Sequence, residues 1–526
     1  MSIPSYHNIG FIDIEIEIIG ALTPHTIREA NAEITSISLY DFNTKVYYCW
    51  VLDKKKEFQD ICEENKKVYF CNTENILIQK FLDVWVECDF TIITHWNGDF
   101  FDMPYLYYRI KKKLGDLVYK LSPIGKILEQ PSTSSVKIGL VNSLDFMLLF
   151  KKYITKEEPS YKLDEIGTKY VNLGKVEYNG SLNDLFKNDI HTFIEYNIRD
   201  VEILVELENK LGFIQLTIQM CHLCNIPYES VYYNTVLNEG AILNRLKSRG
   251  IVAPNKPTTV NPSIIELNVG DAVRNQRGTP SLEGEIVEIK GELILVKTKS
   301  GSYKEREART IRKDEGYNGG FLLDPKPGLY DWLSDYDYSS YYPSCIRSLN
   351  LGIETFVCRV VLDKPTKELW CSLKELKEMD PDSNITIEKL NVKTFTFNKA
   401  ELKVSKLIEF IEKNNWNIAA NGSIFRTDQL SVVSEILGEW FAMRKEYKKK
   451  MGIAYEKGDM SEYDKYDKIQ HSYKILLNAM YGAFAINGFR FTDGYKIISS
   501  SITCTCQRLL QETILHANKE MDKLLS

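Results

Sequence analysis

No run of about 18 apolar residues occurs in the 526-residue chain, so the sequence offers no membrane-spanning helix and no membrane association is expected. The N-terminal stretch MSIPSYHNIGFIDIE has no basic region, apolar core and cleavage site, and no secretory signal peptide is expected. A disulfide framework is missing as well. The 11 cysteines are odd in number and scattered, a usage that fits a reducing cytoplasm. Nor is there a basic excess: the net charge is −6, whereas nucleic-acid binders often carry a basic surplus. That balance still allows carboxylates committed to metal ions and a local basic groove. Arg444-Lys445-Glu446-Tyr447-Lys448-Lys449-Lys450 is one such concentration. Low-complexity tracts and internal repeats are absent.

What is present is ordinary globular composition, 44% hydrophobic and 26% charged, at a length that predicts about three or four domains. Residues 1–210 alternate strand-like and helical text. GFIDIEIEII, TSISLYDF and KVYYCWVL are rich in β-branched and aromatic residues, as strands are. ENILIQKFLDVWVE and HTFIEYNIRDVEILVELENKL carry apolar residues at helical spacing. Residues 262–313 differ, with VGDAVRNQ, EGEIVEIK, ELILVKTK and YKEREARTI as short strand-like runs broken by turn residues. They predict a small inserted β-barrel of SH3-like type, the plainer account being a long irregular loop. From about 425 to 483 the text is helical, and Gly458-Asp459 marks the turn of a helical hairpin.

Three acidic groups in the first part carry chemistry. Asp13 and Glu15 lie two apart in an apolar strand, so period two places them on one face. Side by side they repel and lose solvation, and a cation compensates. Asp102 follows the apolar strand FTIITHW and Asn97-Gly98-Asp99-Phe100-Phe101, at the entry to a helix. Tyr196 and Asp200, four apart in a helix, share a face. Each has a bland account alone: a solvated acidic pair, an N-cap, and a surface Tyr with a solvated Asp.

Together, D-x-E, N-x-x-x-F-D and Y-x-x-x-D resemble the three exonuclease motifs of family B DNA polymerases, whose exonuclease domain has an RNase H-like fold. The resemblance implies that Asp13, Glu15, Asp102 and Asp200 bind two divalent metals, and that Tyr196 helps to position the nucleophilic water. Oxygen donors suit Mg²⁺ or Mn²⁺ rather than zinc.

A second set extends the resemblance. Asp337-Tyr338-Ser339-Ser340-Tyr341-Tyr342-Pro343-Ser344 is similar to motif A, D-x-x-S-L-Y-P-S, with Tyr341 where Leu is usual. By resemblance Asp337 and the Tyr338 carbonyl are metal ligands of the palm. Backbone amides near Ser340 and Tyr341 would hold the triphosphate, and Tyr342 would exclude a 2′-OH. Lys474, Asn478, Tyr481 and Gly482 form K-x-x-x-N-x-x-Y-G, similar to motif B of the fingers. Offsets of four and seven put Lys474, Asn478 and Tyr481 on one helical face. Arg444 and Lys448 would reach the same phosphates from the opposite helix. Tyr317-Asn318-Gly319-Gly320 resembles the Y-x-G-G/A element that touches template, and Gly482 joins the DNA-contacting set.

The resemblance spans nearly the whole chain outside the insert and points to replicative polymerases of T-even-type phages. It implies an α/β and α+β multidomain fold: an exonuclease domain at 1–212, a helical connector at 213–261, and the barrel at 262–313. A first palm part follows at 314–425, fingers at 426–485, and a second palm part at 486–526. Implied partners are primer–template DNA, deoxynucleoside triphosphates and a sliding clamp. The implied location is the cytoplasm, as a phage or virus-like protein.

The pattern also departs from the family. Asp13 stands almost at the start, and no Y-x-D-T-D-S (motif C) follows Tyr481. Motif C supplies the second palm Asp, without which two-metal transfer has no ligand set. A second chain supplying motif C and the thumb, an incomplete reading frame, and a vestigial polymerase part are the three accounts, the last disfavoured by an intact motif B. The expected function is therefore a DNA polymerase with 3′→5′ exonuclease. Its rivals are an exonuclease alone and a non-catalytic DNA-binding subunit. The lone Cys221-His222-Leu223-Cys224 lacks a second ligand pair, and structural cysteines are expected there.

Overall fold

The computed structural model of the protein describes residues 7–17, 20, 23–130, 135–154, 156–253, 255, 269–270, 272–275, 283–290, 293–298, 300–307, 311–313, 320–321, 327–329, 337–361, 371–391, 396–486, 489–491 and 497–525. They fall into two compact units, Met1–Tyr233 and Asn234–Ser526. No described helix is long and apolar enough to cross a membrane.

The first unit is mixed α/β. Its strands are β1 (Ile9–Ile16), β2 (Ile34–Asp41), β3 (Val46–Leu52), β4 (Ile61–Cys62), β5 (Lys66–Cys71), β6 (Ile92–His95), β7 (Ile127–Glu129), β8 (Val136–Ile138) and β9 (Asn142–Asp145). Seven form one sheet in the order β4-β5-β3-β2-β1-β6-β9, and β7 pairs with β8 apart from it. The β1-β2-β3 meander is antiparallel, while β6 and β9 extend the sheet parallel to β1. Helices α1 (Pro24–Glu29), α2 (Glu74–Cys88), α3 (Asp102–Leu114), α4 (Phe146–Tyr153), α5 (Leu163–Val171), α6 (Leu182–Asn188), α7 (Ile190–Leu211) and α8 (Phe213–Cys224) complete it. The three expected strands and both expected helices of this region are β1, β2, β3, α2 and α7.

Period two explains what the sheet does with its polar residues. Ile12, Ile14 and Ile16 join Trp50, Phe81 and Leu106 in the main core. Asp13 and Glu15 therefore face the other side. Cross-strand register gives two rows there, Asp13–Ser38–Cys49–Val68 and Glu15–Ser36–Val51–Phe70. The far ends of the rows are apolar, and α7 packs on them through Phe193, Ile194 and Tyr196. Burying each such side chain is worth about 1.5–3 kcal/mol. The helix is thereby fixed over the sheet, and its polar residues are brought to the acidic end of the rows. Asp189 caps its start by accepting from the Thr192 N–H, and Gly212 ends it in the left-handed region at φ 65°.

The second unit begins with α9 (Asn234–Ser248). A small antiparallel sheet follows: β10 (Ala272–Asn275), β11 (Glu283–Lys290), β12 (Leu293–Thr298), β13 (Tyr303–Glu307) and β14 (Ile311–Lys313), in the order β13-β12-β11-β10-β14. Its own core is Val273, Ile286, Ile294 and Val296. The expected irregular-loop alternative is thus replaced by paired strands. Next come α10 (Tyr341–Leu349), β15 (Phe356–Val360), α11 (Leu373–Glu378), β16 (Asn384–Asn391), β17 (Thr396–Lys403), α12 (Val404–Asn414), β18 (Asn417–Ile418) and β19 (Ser423–Phe425). These strands form a second antiparallel sheet, β17-β16-β15-β19-β18, with α12 on its core. Two 25-residue helices, α13 (Val432–Glu456) and α14 (Met460–Phe484), make the hairpin. Gly458 turns it at φ 70°, and Asp459 caps α14 by accepting from the Glu462 N–H. Helix α15 (Ile497–Leu525) follows.

One buried ion pair ties the first unit together. Glu74 at the start of α2 accepts from Arg109 Nε and NH2 at 2.7 Å each, and from the Ile34 N–H at 2.8 Å. Arg109 also donates to the Ala30 and Asn31 carbonyls. Breaking a buried pair costs about 3–5 kcal/mol because the remaining charge is stranded. Lys113, 3.2 Å from Glu74, cushions that loss. Arg109→Met is expected to lower stability by about 3 kcal/mol in urea unfolding. Lys54→Ala, at the exposed pair with Glu33, is expected to change it by less than about 1 kcal/mol.

Candidate functional site

The convergence in the first unit follows from the two rows and the helix over them. One carboxylate oxygen each of Asp13, Glu15 and Asp200 lies within 4.8 Å of the others. Asp13 and Glu15 are partly exposed, and Asp200 and Asp102 are buried. Asp102 is the first residue of α3, preceded by Phe101 at the cap position, and no side chain caps that helix. The bland N-cap account of Asp102 therefore fails. Asp102 stands outside the close three, yet near enough for its charge to act on Asp13 and Glu15.

Electrostatics records the crowding. Burial first, then the neighbouring Asp200, Asp102 and Glu15, push the Asp13 carboxyl well above the usual carboxylate range. Burial and Asp200 raise Glu15 to about 8. Burial raises Asp102 to about 6, with His95 and the Ile14 backbone N–H working against it. Asp200 is raised by burial too, and Lys175 opposes the rise. One oxygen of Asp200, Oδ1, is buried without a hydrogen-bond partner. An orphaned carboxylate oxygen beside two more carboxylates is a donor set for a hard divalent cation.

Three supports for these groups are not among the residues that the motifs specify. Lys175 pairs with Asp200 and donates to the Tyr196 hydroxyl at 3.0 Å. Asn197, fully buried on α7, donates to Asp13 Oδ2 at 2.6 Å, and its own Oδ1 accepts from Ser36 and Ser38 at 2.8 and 2.7 Å. The two serines thus lock the amide so that its NH₂ faces Asp13. His95, also fully buried, is enclosed by Asp99, Asp145 and Ser143. Burial opposes charge on its ring, but these carboxylates outweigh burial and raise it to about 9. The Gly98 N–H nonetheless donates to Nδ1 at 3.0 Å, and a ring protonated on both nitrogens has no lone pair to offer it. That contact fits a ring protonated on Nε2 alone, with Nδ1 as the acceptor. Tyr196 is pushed up to about 12 by burial and Asp200, so its hydroxyl keeps its proton at neutral pH.

In the second unit, residues of the two polymerase-like motifs meet. Tyr342 on α10 stacks on Tyr481 on α14, with ring centroids 4.4 Å apart and 17° between planes. Tyr341 stacks on Tyr338 at 4.6 Å, and its hydroxyl donates to the Cys506 carbonyl on α15. Ser340 adopts the left-handed region at φ 52° as α10 begins. A Cβ on Gly320 would lie 3.7 Å from the Tyr342 hydroxyl, whereas one on Gly482 would meet nothing within 4 Å. Arg444 Nε donates to Gln470 Oε1 at 3.4 Å across the hairpin. His471 is lowered by burial and by both Lys474 and Arg444, so both cations lie near it. Lys448, Lys474 and Asn478 are exposed, as is Asp337. Asp337 joins no group of three acidic, His or Cys ligands among the described residues. Tyr317 and Gly319 lie outside the described residues. All the described cysteines are free, and Cys221 and Cys224 are buried.

Comparison with known proteins follows the same division. A sequence profile described as DNA polymerase family B matches residues 227–526, more than half of the chain. A second, described as the exonuclease domain of that family, matches residues 13–166. A DNA-directed DNA polymerase of Enterobacteria phage T4 is 22% identical over 83% of this chain and 42% of its own length. One from Escherichia phage RB69 is 28% identical over 54% of this chain and 26% of its own. DNA polymerase 1 of Sulfurisphaera ohwakuensis is 24% identical over 93% of this chain and 45% of its own. The chain thus spans less than half the length of these curated relatives.

The raised carboxylates set a pH dependence. Glu15 has a folded-state value of about 8 against an ordinary 4.5. A carboxyl raised on folding contributes stability that is fully present below its unfolded value and is lost as pH rises through the folded one. Metal-free protein is therefore expected to melt at progressively lower temperature from pH ~5 to pH ~8, and Mg²⁺ to reverse the fall. Glu15→Gln should melt higher than the parent at pH 8 in chelator, by a few °C per kcal/mol relieved, and should gain less from Mg²⁺. A lower melting point for Glu15→Gln in chelator would mean that the carboxylate is satisfied without metal.

Proposed function

The chain belongs to DNA polymerase family B, and from that membership we propose that its first unit is a 3′→5′ exonuclease that removes mispaired nucleotides from DNA. The observation that carries the proposal is the convergence of Asp13, Glu15 and Asp200 within 4.8 Å, with a buried, unpartnered Asp200 oxygen among them. A passive DNA-binding surface has no need of such a costly cluster. The mixed sheet with its antiparallel β1-β2-β3 meander suits the RNase H-like fold of such domains.

Asp13, Glu15 and Asp200, with Asp102 beside them, would hold Mg²⁺ or Mn²⁺. Such ions, when bound, activate water and neutralise charge on a phosphodiester. The chain's own groups do the rest. Asn197 fixes the rotamer of Asp13 through its bond to Oδ2. Tyr196, protonated, is a hydrogen-bond donor for a water at the mouth of the cluster. Lys175 orients that hydroxyl and brings a cationic side chain to Asp200, where a phosphate would gather negative charge.

The second unit supports a polymerase reading. The Tyr342–Tyr481 stack joins motif A to motif B, as a nucleotide pocket between palm and fingers requires. We assign α13 and α14 to the fingers, the β15–β19 sheet with α10 to the palm, and the small sheet to the SH3-like insert. Asp337 with the Tyr338 carbonyl would hold the palm metals, and Arg444, Lys448 and Lys474 the triphosphate. Ser340 and Tyr341 backbone amides, Tyr342, Asn478 and Tyr481 would line the nucleotide. Tyr317, Gly319, Gly320 and Gly482 would touch DNA. Deoxynucleotide addition then awaits a second carboxylate to face Asp337, as motif C of another segment or a second chain would provide.

The test is a 5′-labelled primer–template with a mispaired 3′ end, in Mg²⁺, with and without dNTPs. The parent is expected to shorten the primer from its 3′ end, and Asp13→Ala to abolish shortening. Lys175→Ala should slow it by about 10–100-fold, the range for lost groups around a metal site. Shortening that survives Asp13→Ala would sink the nuclease reading. Extension by these 526 residues alone would place the second palm carboxylate among them.

A further inference from the structure

Asp102 reaches the nuclease cluster on a turn that is held partly by its own backbone and partly from outside. β6 ends at His95, Asn97 takes a left-handed φ of 63°, and α3 starts without a side-chain cap. The turn's own backbone bonds are Phe100 N–H to Asn97 O and Phe101 N–H to Gly98 O, both long at 3.3 Å, and Met103 N–H to Gly98 O at 3.1 Å, which makes Gly98 the link between the turn and α3. Further support comes from outside. Asp145 Oδ1 accepts the Asn97 N–H at 3.1 Å, and His95 Nδ1 accepts the Gly98 N–H at 3.0 Å.

Gly98 is clasped between the two groups that matter. A Cβ there would lie 2.5 Å from His95 Cγ and 2.6 Å from Asp102 Oδ2, so only a bare Cα fits between imidazole and carboxylate. The far side of the ring is tied as well. Nε2 lies 2.8 Å from Ser143 Oγ on β9, and that hydroxyl donates to Asp99 Oδ1 at 2.6 Å. A hydroxyl that spends its only proton on Asp99 accepts from Nε2–H, which leaves the Nδ1 lone pair for Gly98. The chain of bonds therefore runs one way, from Gly98 through the ring to Ser143 and Asp99.

We infer that His95 is a positioning residue of the nuclease centre: by holding Gly98 through Nδ1, it sets where Asp102 stands relative to Asp13, Glu15 and Asp200. The inference rests on the nuclease reading of the first unit. The competing account is a satisfied core histidine that contributes stability alone. The two differ in what matters about the side chain. Positioning needs an acceptor at the Nδ1 place, whereas stability needs bulk.

His95→Asn keeps an acceptor on the same Cγ, and His95→Leu keeps bulk without one. Both are made in an Asp337→Ala background, so that the second unit adds no metal site, and both are checked for a cooperative melt. Mn²⁺ binding is followed by electron paramagnetic resonance, and 3′ shortening of a single-stranded oligonucleotide by kcat and KM. Expected for His95→Leu is a rise of about 10-fold in the Mn²⁺ Kd and a fall of about 10–100-fold in kcat, with KM within about 3-fold. His95→Asn should recover both to within about 3-fold of the parent.

Equal Mn²⁺ affinity and kcat in the two variants would overturn the inference. Should His95→Leu fail to fold, His95→Gln takes its place, since its acceptor lies one methylene too far. Gln impaired and Asn near the parent supports positioning, and equal values overturn it. A parent that binds Mn²⁺ but leaves DNA uncut sinks the nuclease reading, while the Mn²⁺ series still judges His95. A parent that binds no Mn²⁺ overturns both.

Discussion

The first unit is organised around a repulsion. Asp13, Glu15 and Asp200 bring three carboxylates within 4.8 Å, with Asp102 close behind, and the burial of Asp200 and Asp102 with the partial burial of Asp13 and Glu15 limits the water that would screen them. Left alone, such a cluster would take up protons or pull apart. The surrounding structure prevents separation. Two cross-strand rows fix Asp13 and Glu15 to the sheet, and an apolar contact at the other end of those rows fixes α7 and so Asp200. The energy that holds like charges together is supplied by Cys49, Val51, Val68, Phe193 and Ile194, none of which has chemistry of its own.

Three internal devices moderate the repulsion, and each acts differently. Lys175 offers a cation to Asp200, Asn197 offers a fixed hydrogen-bond donor to Asp13, and His95 with Asp145 holds the turn that carries Asp102. One Asp200 oxygen is satisfied by none of them and lies among two further carboxylates, a set that could hold a cation. Leaving a buried oxygen bare costs about 1–3 kcal/mol, a cost that a cation among these carboxylates would relieve.

Much of this was legible in the sequence where the signal is local. The strand period put Asp13 and Glu15 on one face, the helical period put Tyr196 with Asp200, and Gly458-Asp459 announced the hairpin turn. The supports were not legible, for a physical reason. Asn197 meets Ser36 and Ser38 across about 160 residues, and Lys175 meets Asp200 from an irregular stretch without periodicity. Only the adjacency of Asn197 to Tyr196 hinted at its role. His95 read as one more residue of an apolar strand. Asp102 was the instructive case. An Asp before a helix is ordinarily a cap, and its position inside α3, buried and uncapped, excludes that account.

The two units differ in how far their centres are formed by their own residues. In the first, every oxygen ligand candidate comes from a packed strand or helix, and the charges already act on one another. In the second, the aromatic part is assembled, with Tyr342 against Tyr481 and Tyr341 tied to α15, but Asp337 stays exposed and ungrouped among the described residues. Stacked tyrosines can form without an ion, because apolar burial and ring contact stabilise them directly. Carboxylates that share a metal cannot, unless rigid elements force them together as β1 and α7 do. A sheet and a helix that pack on each other's apolar residues can hold a charged site ready before any ion arrives. Among the described residues, Asp337 at the entry to α10 has no such frame.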